Sequence, residues 1–228
     1  MEKTISVILP VYNAGIYLEE ALESIFSQSV TPLEVIAIND GSTDNSLEIL
    51  ERYRTRLFIE SRENRGLAAT LNQGIQISKG QLLTFLDADD VWVKNKLEMQ
   101  LDFLNKHPEK EASFGMMRQF ISPELTDDIK NTINCPDELQ KGIMKITLMI
   151  RRGAFDRVGW FDEVFRRGDF IDWFARAEEA GLNYWVLPEL LAYRRLHRNS
   201  LSSQQQHEKD LIKIAKAVLD RRRIAGRG

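Results

Sequence analysis

The sequence predicts an α/β fold in which helices cover both faces of a doubly wound, mostly parallel sheet. Two observations lead to this class. Short, β-branched apolar runs alternate with longer stretches of helical periodicity over about the first 110 residues. Polar turns rich in Gly, Asn and Asp separate the two kinds of segment. Strands that alternate with helices in this way are joined by right-handed crossovers, so neighbouring strands are expected to be parallel.

The first elements follow this alternation closely. Residues 5–9 form an apolar, β-branched run, and Pro10 is expected to close the strand because proline cannot donate to a ladder. A helix is predicted next, with one apolar stripe at i, i+3, i+4 and i+7 made by Leu18, Ala21, Leu22 and Ile25. The second predicted strand, residues 33–38, leads into the polar segment 39–44.

The next two strand and helix pairs repeat the pattern. Asp44 or Asn45 is positioned to cap a helix, and residues 57–59 are predicted as the third strand. Another helix follows Gly66 and ends at Gly80, a residue suited to helix termination. Residues 82–86 are the fourth predicted strand, and an acidic segment, residues 87–90, follows it directly.

The second half has a less regular pattern. Residues 112–118 and 147–150 are predicted strands, which we interpret as an extension of the same sheet within one domain spanning residues 1–203. The tail, residues 204–228, is predicted as a separate amphipathic helix with Leu211, Ile214, Ala215 and Val218 in register. Its seven basic residues against three acidic ones make this tail positively charged.

The bulk composition narrows the partners and the compartment. A net charge of −3 provides no large field to attract nucleic acid, which is therefore not an expected partner. The single cysteine, Cys135, excludes an internal disulfide framework and a multi-cysteine zinc site, and it favours the reducing cytoplasm. The sequence contains no apolar run of about 20 residues, so membrane contact would be peripheral, through the basic tail.

Acidic residues follow two of the predicted strands. Asp40 comes after the second strand, and Asp87 and Asp89 come after the fourth, so their carboxylates are expected at one edge of the sheet. Asp40 alone could be an ordinary turn residue beside Gly41, and Asp90 a helix cap. The Asp87-x-Asp89 spacing suits Mg²⁺ or Mn²⁺ with substrate phosphates completing the coordination. A calcium loop, a dinucleotide fingerprint and a P-loop do not fit this sequence.

Four sequence blocks, in this order, resemble the inverting family 2 glycosyltransferases of the GT-A fold. They are residues 7–13 (VILPVYN), 39–44 (NDGSTD), 64–67 (NRGL) with Asn72, and 86–90 (LDADD). The resemblance extends over about residues 4–202, nearly the whole chain. It implies a GT-A domain, a nucleotide-sugar donor, most simply a UDP-sugar, and Mn²⁺ or Mg²⁺ as cofactor.

The resemblance also assigns positions to the donor. The half spanning residues 1–110 would bind the nucleotide, with Asp40 accepting a hydrogen bond from the pyrimidine edge and Asp87 lying by the ribose and diphosphate. Asp89 would be the direct metal ligand. The full set that it places around the donor is Pro10, Val11, Asn13, Asp40, Asn64, Gly66, Asp87 and Ala88.

Residues 111–203 would bind the acceptor. Residues 168–176 (GDFIDWFAR) resemble the acidic motif of the family at a helix start, where a carboxylate acts as general base. The usual adjacent acidic pair is replaced here by Asp169-Phe170, with a further acid at Asp172. We expect Asp172 to be the base, because it keeps the spacing to Arg176 and has aromatic neighbours, and Asp169 to be the helix N-cap.

The segment 193–200 resembles the closing segment of the family. The resemblance implies that Arg195 faces the diphosphate and that His197 completes the metal shell or contacts phosphate. The predicted reaction is transfer of the sugar to an acceptor hydroxyl with inversion, the acceptor being a carbohydrate, a lipid-linked glycan or a protein. Two alternatives stay open: a nucleotidyltransferase, and a sugar-nucleotide-binding protein without turnover. The first lacks its Gly-rich basic loop after the first strand, and the second is favoured by the altered acidic motif.

Overall fold

The computed structural model describes residues 4–165, 168–197 and 206–225. The first half contains four strands that are each followed by a helix, with a short fifth strand before the last helix. These elements are β1 (Ile5–Val11), α1 (Leu18–Phe26), β2 (Glu34–Asp40), α2 (Ser46–Arg52), β3 (Phe58–Arg62), α3 (Leu67–Ile77), β4 (Leu82–Phe85), the short β5 (Val91–Trp92) and α4 (Lys96–Lys106). Strands β1 to β4 lie in the order 3-2-1-4 and are all parallel. The predicted α/β class and the parallel arrangement of this half are confirmed.

The second half adds strands to the same sheet. Its elements are β6 (Ala112–Ile121), α5 (Asp127–Lys130), β7 (Gln140–Gly142), a 3₁₀ turn (Lys145–Thr147), β8 (Met149–Arg151), α6 (Arg152–Val158), α7 (Asp169–Glu179), β9 (Tyr184–Leu196) and α8 (Gln206–Ala225). The sheet runs β3-β2-β1-β4-β8-β6-β9-β5, with β7 paired to β6. Strand β8 is antiparallel to both of its neighbours, whereas β9 is parallel to β6.

The prediction that Pro10 ends the first strand is wrong. Strand β1 continues to Val11, still in register with β2. Pairing with β4 ends at Ile8, opposite Phe85, so beyond this point β1 has a strand neighbour on one side only. A proline is tolerated there because the absent N–H falls where the ladder is incomplete.

Side chains of β1 alternate between two cores on opposite faces of the sheet. Val7 and Leu9 pack with residues of α1, α2 and α4, whereas Ile8 packs with residues of α3, α6 and α7. Helices therefore cover both faces, as the sequence predicts.

The sheet curls so that β5, the strand at one edge, lies near β4 in the interior of the sheet. Residues 86–90 connect β4 to β5, although three strands lie between these two in the sheet. This connection also contains a turn closed by the Asp90 N–H and the Asp87 carbonyl oxygen at 3.1 Å. The end of β9, which pairs with β5, is thereby brought beside the acidic segment that follows β4.

Helix α8 packs against α7 through the buried side chain of Ile214. No helix among residues 4–165, 168–197 and 206–225 is both long and apolar enough to cross a membrane.

Candidate active site

Asp40 organises the loop that precedes α3. Its carboxylate accepts hydrogen bonds from the backbone N–H groups of Arg65 (2.9 Å) and Gly66 (2.8 Å), and Arg62 Nε lies 3.2 Å from Oδ1. Asn64 Nδ2 donates to the Asp40 carbonyl oxygen at 3.0 Å. Gly66 has φ +93°, a conformation that favours glycine. Asp40 is thus buried among protein donors, and its contact with a pyrimidine stays a prediction.

The loop after β1 is tied to the loop after β2. Asn13 Oδ1 accepts from the Thr43 N–H at 2.8 Å, and the Asn13 N–H donates to Ser42 Oγ at 3.0 Å. The side chains of Pro10 and Val11 are buried, Val11 within the core, so only their main chain is available to a base at this edge. The next two residues, Tyr12 and Asn13, are exposed, Tyr12 at 53%.

The segment after β4 brings the predicted metal-binding residues together. Asp89 Oδ2 and His197 Nε2 are 2.9 Å apart, although 108 positions separate these residues in the chain. Asp87 Oδ1 lies 3.9 Å from Lys145 Nζ, which donates to Asp169 Oδ2 at 3.2 Å. The side chains of Asp87 and Asp89 are each 32% exposed, so solvent reaches both carboxylates. Ala88, between them, is buried.

The pKa values of the acidic residues and of Lys145 in this cluster are shifted by burial and by the neighbouring charges. Burial raises the pKa of Asp87, the charge of Lys145 opposes this shift, and Asp89 and Asp169 add to it. Burial, Asp89 and Asp87 raise the pKa of Asp90 well above its usual range. Burial alone would lower the pKa of Lys145, but Asp169 and Asp87 outweigh it and the pKa rises. The cluster is therefore an environment that a further cation would stabilise.

The donor set fits a divalent ion only in part. A carboxylate and an imidazole are suitable ligands for Mn²⁺. Two cis ligands of an octahedral ion with bonds of about 2.1 Å are about 3 Å apart, close to the 2.9 Å between Asp89 and His197. In the described part of the chain, no group of three or more His, Cys, Asp or Glu side chains could hold an ion. Any ion here would need ligands from substrate or water.

Arg195 does not have the surroundings predicted for a phosphate ligand. It is 4% exposed, its Nε donates to the Asp89 carbonyl oxygen at 2.9 Å, and its Nη2 pairs with Glu20. The guanidinium also lies 4.7 Å from the ring centre of Tyr17 and 4.5 Å from that of Phe120. The expected diphosphate contact is corrected: Arg195 supports the acidic segment from within the protein.

Arg194 is the basic residue of this strand that acts on the acidic cluster. It is half-buried, and its charge lowers the pKa of Asp87 and of Asp90 against the larger effect of burial. Side chains at consecutive strand positions point to opposite faces, so Arg194 and Arg195 approach the acidic segment from different sides.

The start of α7 also differs from prediction. Gly168, with φ +76°, is the N-cap, and Asp169 is the first helical residue. The interpretation of Asp169 as N-cap is therefore wrong, because glycine occupies the left-handed turn that begins the helix. The Asp169 carboxylate is buried and faces Lys145 instead.

Asp172, one turn further along α7, has different partners. Its side chain is 1% exposed, with Oδ2 2.9 Å from Arg176 Nε and Oδ1 3.0 Å from Arg221 Nη1. Both carboxylate oxygens are thus held by guanidinium groups. The two candidate bases therefore have different partners. Asp169 pairs with Lys145, which also lies near Asp87, whereas Asp172 pairs with two arginines.

A cleft of about 440 Å³ adjoins the nucleotide-side loop. It lies between α3 and residues 160–163, with Arg65, Gln73 and Glu163 among its lining residues. Trp160 is 48% exposed at its edge, whereas Trp173 is fully buried in the core. Of these two tryptophans, only Trp160 is exposed enough to stack on a sugar.

Two site residues were not predicted from the sequence. Lys145 lies in a polar stretch that carries no motif, and no sequence signal singles it out. Arg194 lies in the segment already recognised, but choosing between adjacent arginines requires the strand alternation of β9, which the sequence pattern did not indicate.

The sequence matches the family described as Glycosyl transferase family 2 over residues 6–165. An uncharacterized glycosyltransferase of Rickettsia prowazekii is 30% identical over 226 residues, which cover 91% of this chain and 70% of that protein. A Bacillus subtilis protein, TuaG, whose name places it in teichuronic acid biosynthesis, is 31% identical over 214 residues, 88% of this chain and 82% of that protein.

Two solved structures share the fold. S. aureus TarS 1–349, in complex with UDP-GlcNAc, superposes with a TM-score of 0.77 at 21% identity, covering 94% of this chain and 65% of that one. The mannosyltransferase PcManGT from Pyrobaculum calidifontis, in complex with GDP-Man and Mn²⁺, gives 0.67 at 21% identity, covering 96% and 65%. This chain therefore spans about two thirds of either structure. The GT-A-type sheet is confirmed, and the chain belongs to glycosyl transferase family 2.

Proposed function

We propose that this protein transfers a sugar from a nucleoside diphosphate sugar, most simply a UDP-sugar, to an acceptor hydroxyl, with inversion and with help from a divalent ion. One observation carries the proposal. The Asp89–His197 pair and the chain of contacts Asp87–Lys145–Asp169 meet at the carboxyl edge of the parallel strands. Ligands of open α/β sheets bind at this edge.

Asp89 and His197 would hold Mn²⁺ or Mg²⁺, with the donor diphosphate as the missing ligand. When bound, the ion would neutralise the charge that develops on the departing diphosphate. Asp87 lies next to this pair and beside Lys145, so it is placed to orient the donor and to link its position to that of Asp169. PcManGT with GDP-Man and Mn²⁺ is a protein of the same fold, and it supports this choice of cofactor.

Asp169 is the better candidate for the general base, in place of Asp172. A base must have a carboxylate oxygen that a hydroxyl can approach. Both oxygens of Asp172 are held by arginines, whereas Asp169 pairs, among the described residues, with Lys145, which also lies 3.9 Å from Asp87 on the donor side. Deprotonation at Asp169 would therefore take place beside the donor.

The acceptor is proposed to be a carbohydrate, free or lipid-linked, with a protein acceptor as the less supported choice. The name of TuaG, in teichuronic acid biosynthesis, supports a role in polysaccharide synthesis. We also propose peripheral contact with an anionic membrane through α8, whose exposed residues include Lys213, Lys216 and Arg223. The cytoplasm is the compartment that we infer.

Nucleotide release tests the function directly. Purified protein is incubated with UDP-glucose, UDP-GlcNAc, UDP-galactose or GDP-mannose, with Mn²⁺ or with EDTA, and released UDP or GDP is measured. We expect Mn²⁺-dependent release from at least one donor, and loss of that release in Asp89→Asn. Nucleotide binding without release from any donor would favour the sugar-nucleotide-binding alternative. Pyrophosphate-dependent formation of a sugar 1-phosphate would favour the nucleotidyltransferase.

A further inference from the structure

We propose that helix α8 positions the acceptor side of the active site, with Arg221 as a positioning residue that acts on α7 through Asp172. The inference rests on the proposed function, because it concerns the placement of Asp169 for transfer. It assigns Asp172 to a buried charge network and removes it from the chemistry.

The first step is the contact between the two helices. Arg221 Nη1 lies 3.0 Å from Asp172 Oδ1, and Arg221 Nε lies 2.9 Å from Glu179 Oε2. Arg176 Nε approaches the other oxygen of Asp172 at 2.9 Å. Two cations and two anions thus balance in one cluster, and Asp172, 1% exposed, is at its centre. Without Arg221, Asp172 would keep a single counter-charge in a buried position.

The second step is where α8 touches α7. A Cβ atom placed on Gly168 would lie 2.5 Å from Ile214 Cδ1, so Ile214 packs directly on the N-cap glycine of α7. Asp169 is the next residue. Helix α8 therefore contacts both the residue before the proposed base and the carboxylate one turn after it.

The third step is the connection from Arg176, a member of this charge cluster, to the nucleotide-binding half. Arg176 Nη2 donates to the Trp160 carbonyl oxygen at 2.7 Å, and Nη1 donates to the Val158 carbonyl oxygen at 3.0 Å. The neighbouring Phe161 exchanges two hydrogen bonds with Asn72 of α3, at 2.9 and 3.0 Å. Asp172, by orienting Arg176, thus also fixes residues 158–161, which border the cleft beside Arg65.

The attachment of α8 depends on few groups. Ile214 is the single buried residue among the α8 side chains that the structure describes, while Ile212 and Leu219 are 70% and 56% exposed. Arg221 Nη2 is buried and has no hydrogen-bond partner among the residues that the structure describes, which weakens the docking. One substitution at Arg221 or Ile214 should therefore loosen α8 while the sheet stays folded.

The test compares four variants of the full chain. Arg221→Ala removes the network contact, and Arg221→Lys keeps the charge. Ile214→Ser weakens the second contact independently, should Arg221→Ala fail to fold. Arg223→Ala is the matched control, because this exposed arginine on the same helix pairs, at 4.0 Å, with Asp220 of α8 itself.

Turnover and hydrogen exchange are the two measurements. We expect Arg221→Ala and Ile214→Ser to lower kcat for nucleotide release at least tenfold with the donor KM within twofold, and Arg221→Lys to recover at least a third of the lost turnover. Amide exchange should accelerate in residues 168–179 and 158–161 of the first two variants and not in strands β1 to β4. Arg223→Ala should match the parent protein in both measurements.

Unchanged turnover and unchanged exchange in α7 upon Arg221→Ala would overturn the inference, as would an equal loss in Arg223→Ala. A purely stabilising role predicts a lower melting temperature with exchange raised throughout the sheet, and this result would also overturn it. If the parent protein releases no nucleotide from any donor, the proposed function fails. The exchange measurement would still decide separately whether α8 holds α7.

Discussion

The Asp89 carboxylate is the group on which donor binding should depend most strongly. It approaches His197 at 2.9 Å and has no other acidic or histidine ligand close enough, in the described residues, to form an ion site. Asp89→Asn should abolish the Mn²⁺-dependent part of UDP affinity, because an amide is a weaker ligand for a hard cation. Calorimetric titration with UDP, with and without Mn²⁺, measures this part.

Asp102→Asn is the matched control for Asp89→Asn, since Asp102 is exposed on α4 and lies outside the motif. The control should bind UDP and Mn²⁺ like the parent protein. Metal-dependent affinity that persists in Asp89→Asn would remove Asp89 from the metal site.

The two acidic residues of α7 should respond differently to amide substitution. Asp169→Asn should lower turnover by about 10²-fold or more, the usual scale for a general base, with donor affinity nearly unchanged. Asp172→Asn should instead lower the free energy of unfolding, because two arginines lose a buried counter-charge, an effect of about 3–5 kcal/mol for a broken buried pair. Steady-state kinetics and urea unfolding of both variants separate the roles.

The assignment of the base would be reversed by one clear pattern. If Asp172→Asn loses turnover while its unfolding midpoint stays that of the parent, and Asp169→Asn keeps turnover, then Asp172 takes the acceptor proton. The arginines around it would then have to move when the acceptor binds.

Site residues could be predicted from the sequence where the residues of a motif lie close together in the chain. Asp87 and Asp89 are close in sequence and follow a strand, so the edge to which they belong could be predicted. Lys145 could not, because its partnership with Asp169 and Asp87 exists only after the 3₁₀ turn packs against α7 and the β4 edge. The proposal that Asp169 replaces Asp172 as the base depends on a contact of the same kind: Arg221, a partner of Asp172, comes from α8, 49 positions along the chain.

At the scale of elements, β9 shows why the second half resisted prediction. This strand contains Pro188, which argues against a strand in a sequence pattern. In the structure, Phe114 pairs with Val186 but Met116 with Leu190, so β9 accommodates extra residues in an irregularity of the ladder. The bulge places the proline outside regular pairing. The alternation of side chains between the two faces of the sheet therefore breaks in the middle of β9, and the sequence of this strand lacks a regular period of two.

Helix α8 has two opposite faces with different contacts. Ile214 and Arg221, seven residues apart, point toward α7. The opposite face carries Ile212, Lys216, Leu219 and Arg223 at i, i+4, i+7 and i+11, all exposed. A stripe that mixes aliphatic and basic side chains suits the surface of an anionic bilayer.

Vesicle binding tests this face. The protein should co-sediment with vesicles containing phosphatidylglycerol more strongly than with pure phosphatidylcholine, and 0.5 M salt should weaken binding because it screens the basic groups. Lys216→Glu with Arg223→Glu should reduce binding at least fivefold. The control is Lys106→Glu, a charge change of the same sign at an exposed position of α4. Equal binding to both vesicle types would contradict a role for charge.

For the whole molecule, the parallel half was predictable because each local pattern agrees with the fold. Strands β1, β2 and β4 are largely apolar, the helices between them carry one apolar stripe, and polar turns separate them. The curl of the sheet was not predictable. It depends on β8 and β9, through which the second half of the chain joins the same sheet as the first half. It also depends on the connection of five residues between β4 and β5.

Lys96 is a fully buried lysine whose ionisation should be visible in the stability of the whole protein. Lys96 has no exposed surface, and its Nζ donates to Thr84 Oγ1 at 2.8 Å and to Gln100 Oε1 at 2.7 Å. Burial holds the pKa of Lys96 well below its usual range. Between that lowered pKa and about 10.4, the value for an unfolded chain, the unfolded state binds more protons.

The free energy of unfolding contributed by Lys96 should therefore rise with pH across this window and level off above about pH 10.4, by at most about 1.4 kcal/mol per pH unit. Lys96→Met keeps the apolar length of the side chain and removes the titrating group. Urea unfolding from pH 7 to pH 10 should show the difference between parent and Lys96→Met shifting in favour of the parent as the pH rises. Lys106→Met, which changes an exposed lysine on the same helix, should show no such trend. A constant difference for Lys96→Met would mean that Lys96 keeps the same charge in the folded and unfolded protein throughout this range, and that the polar contacts of its ammonium group compensate for burial.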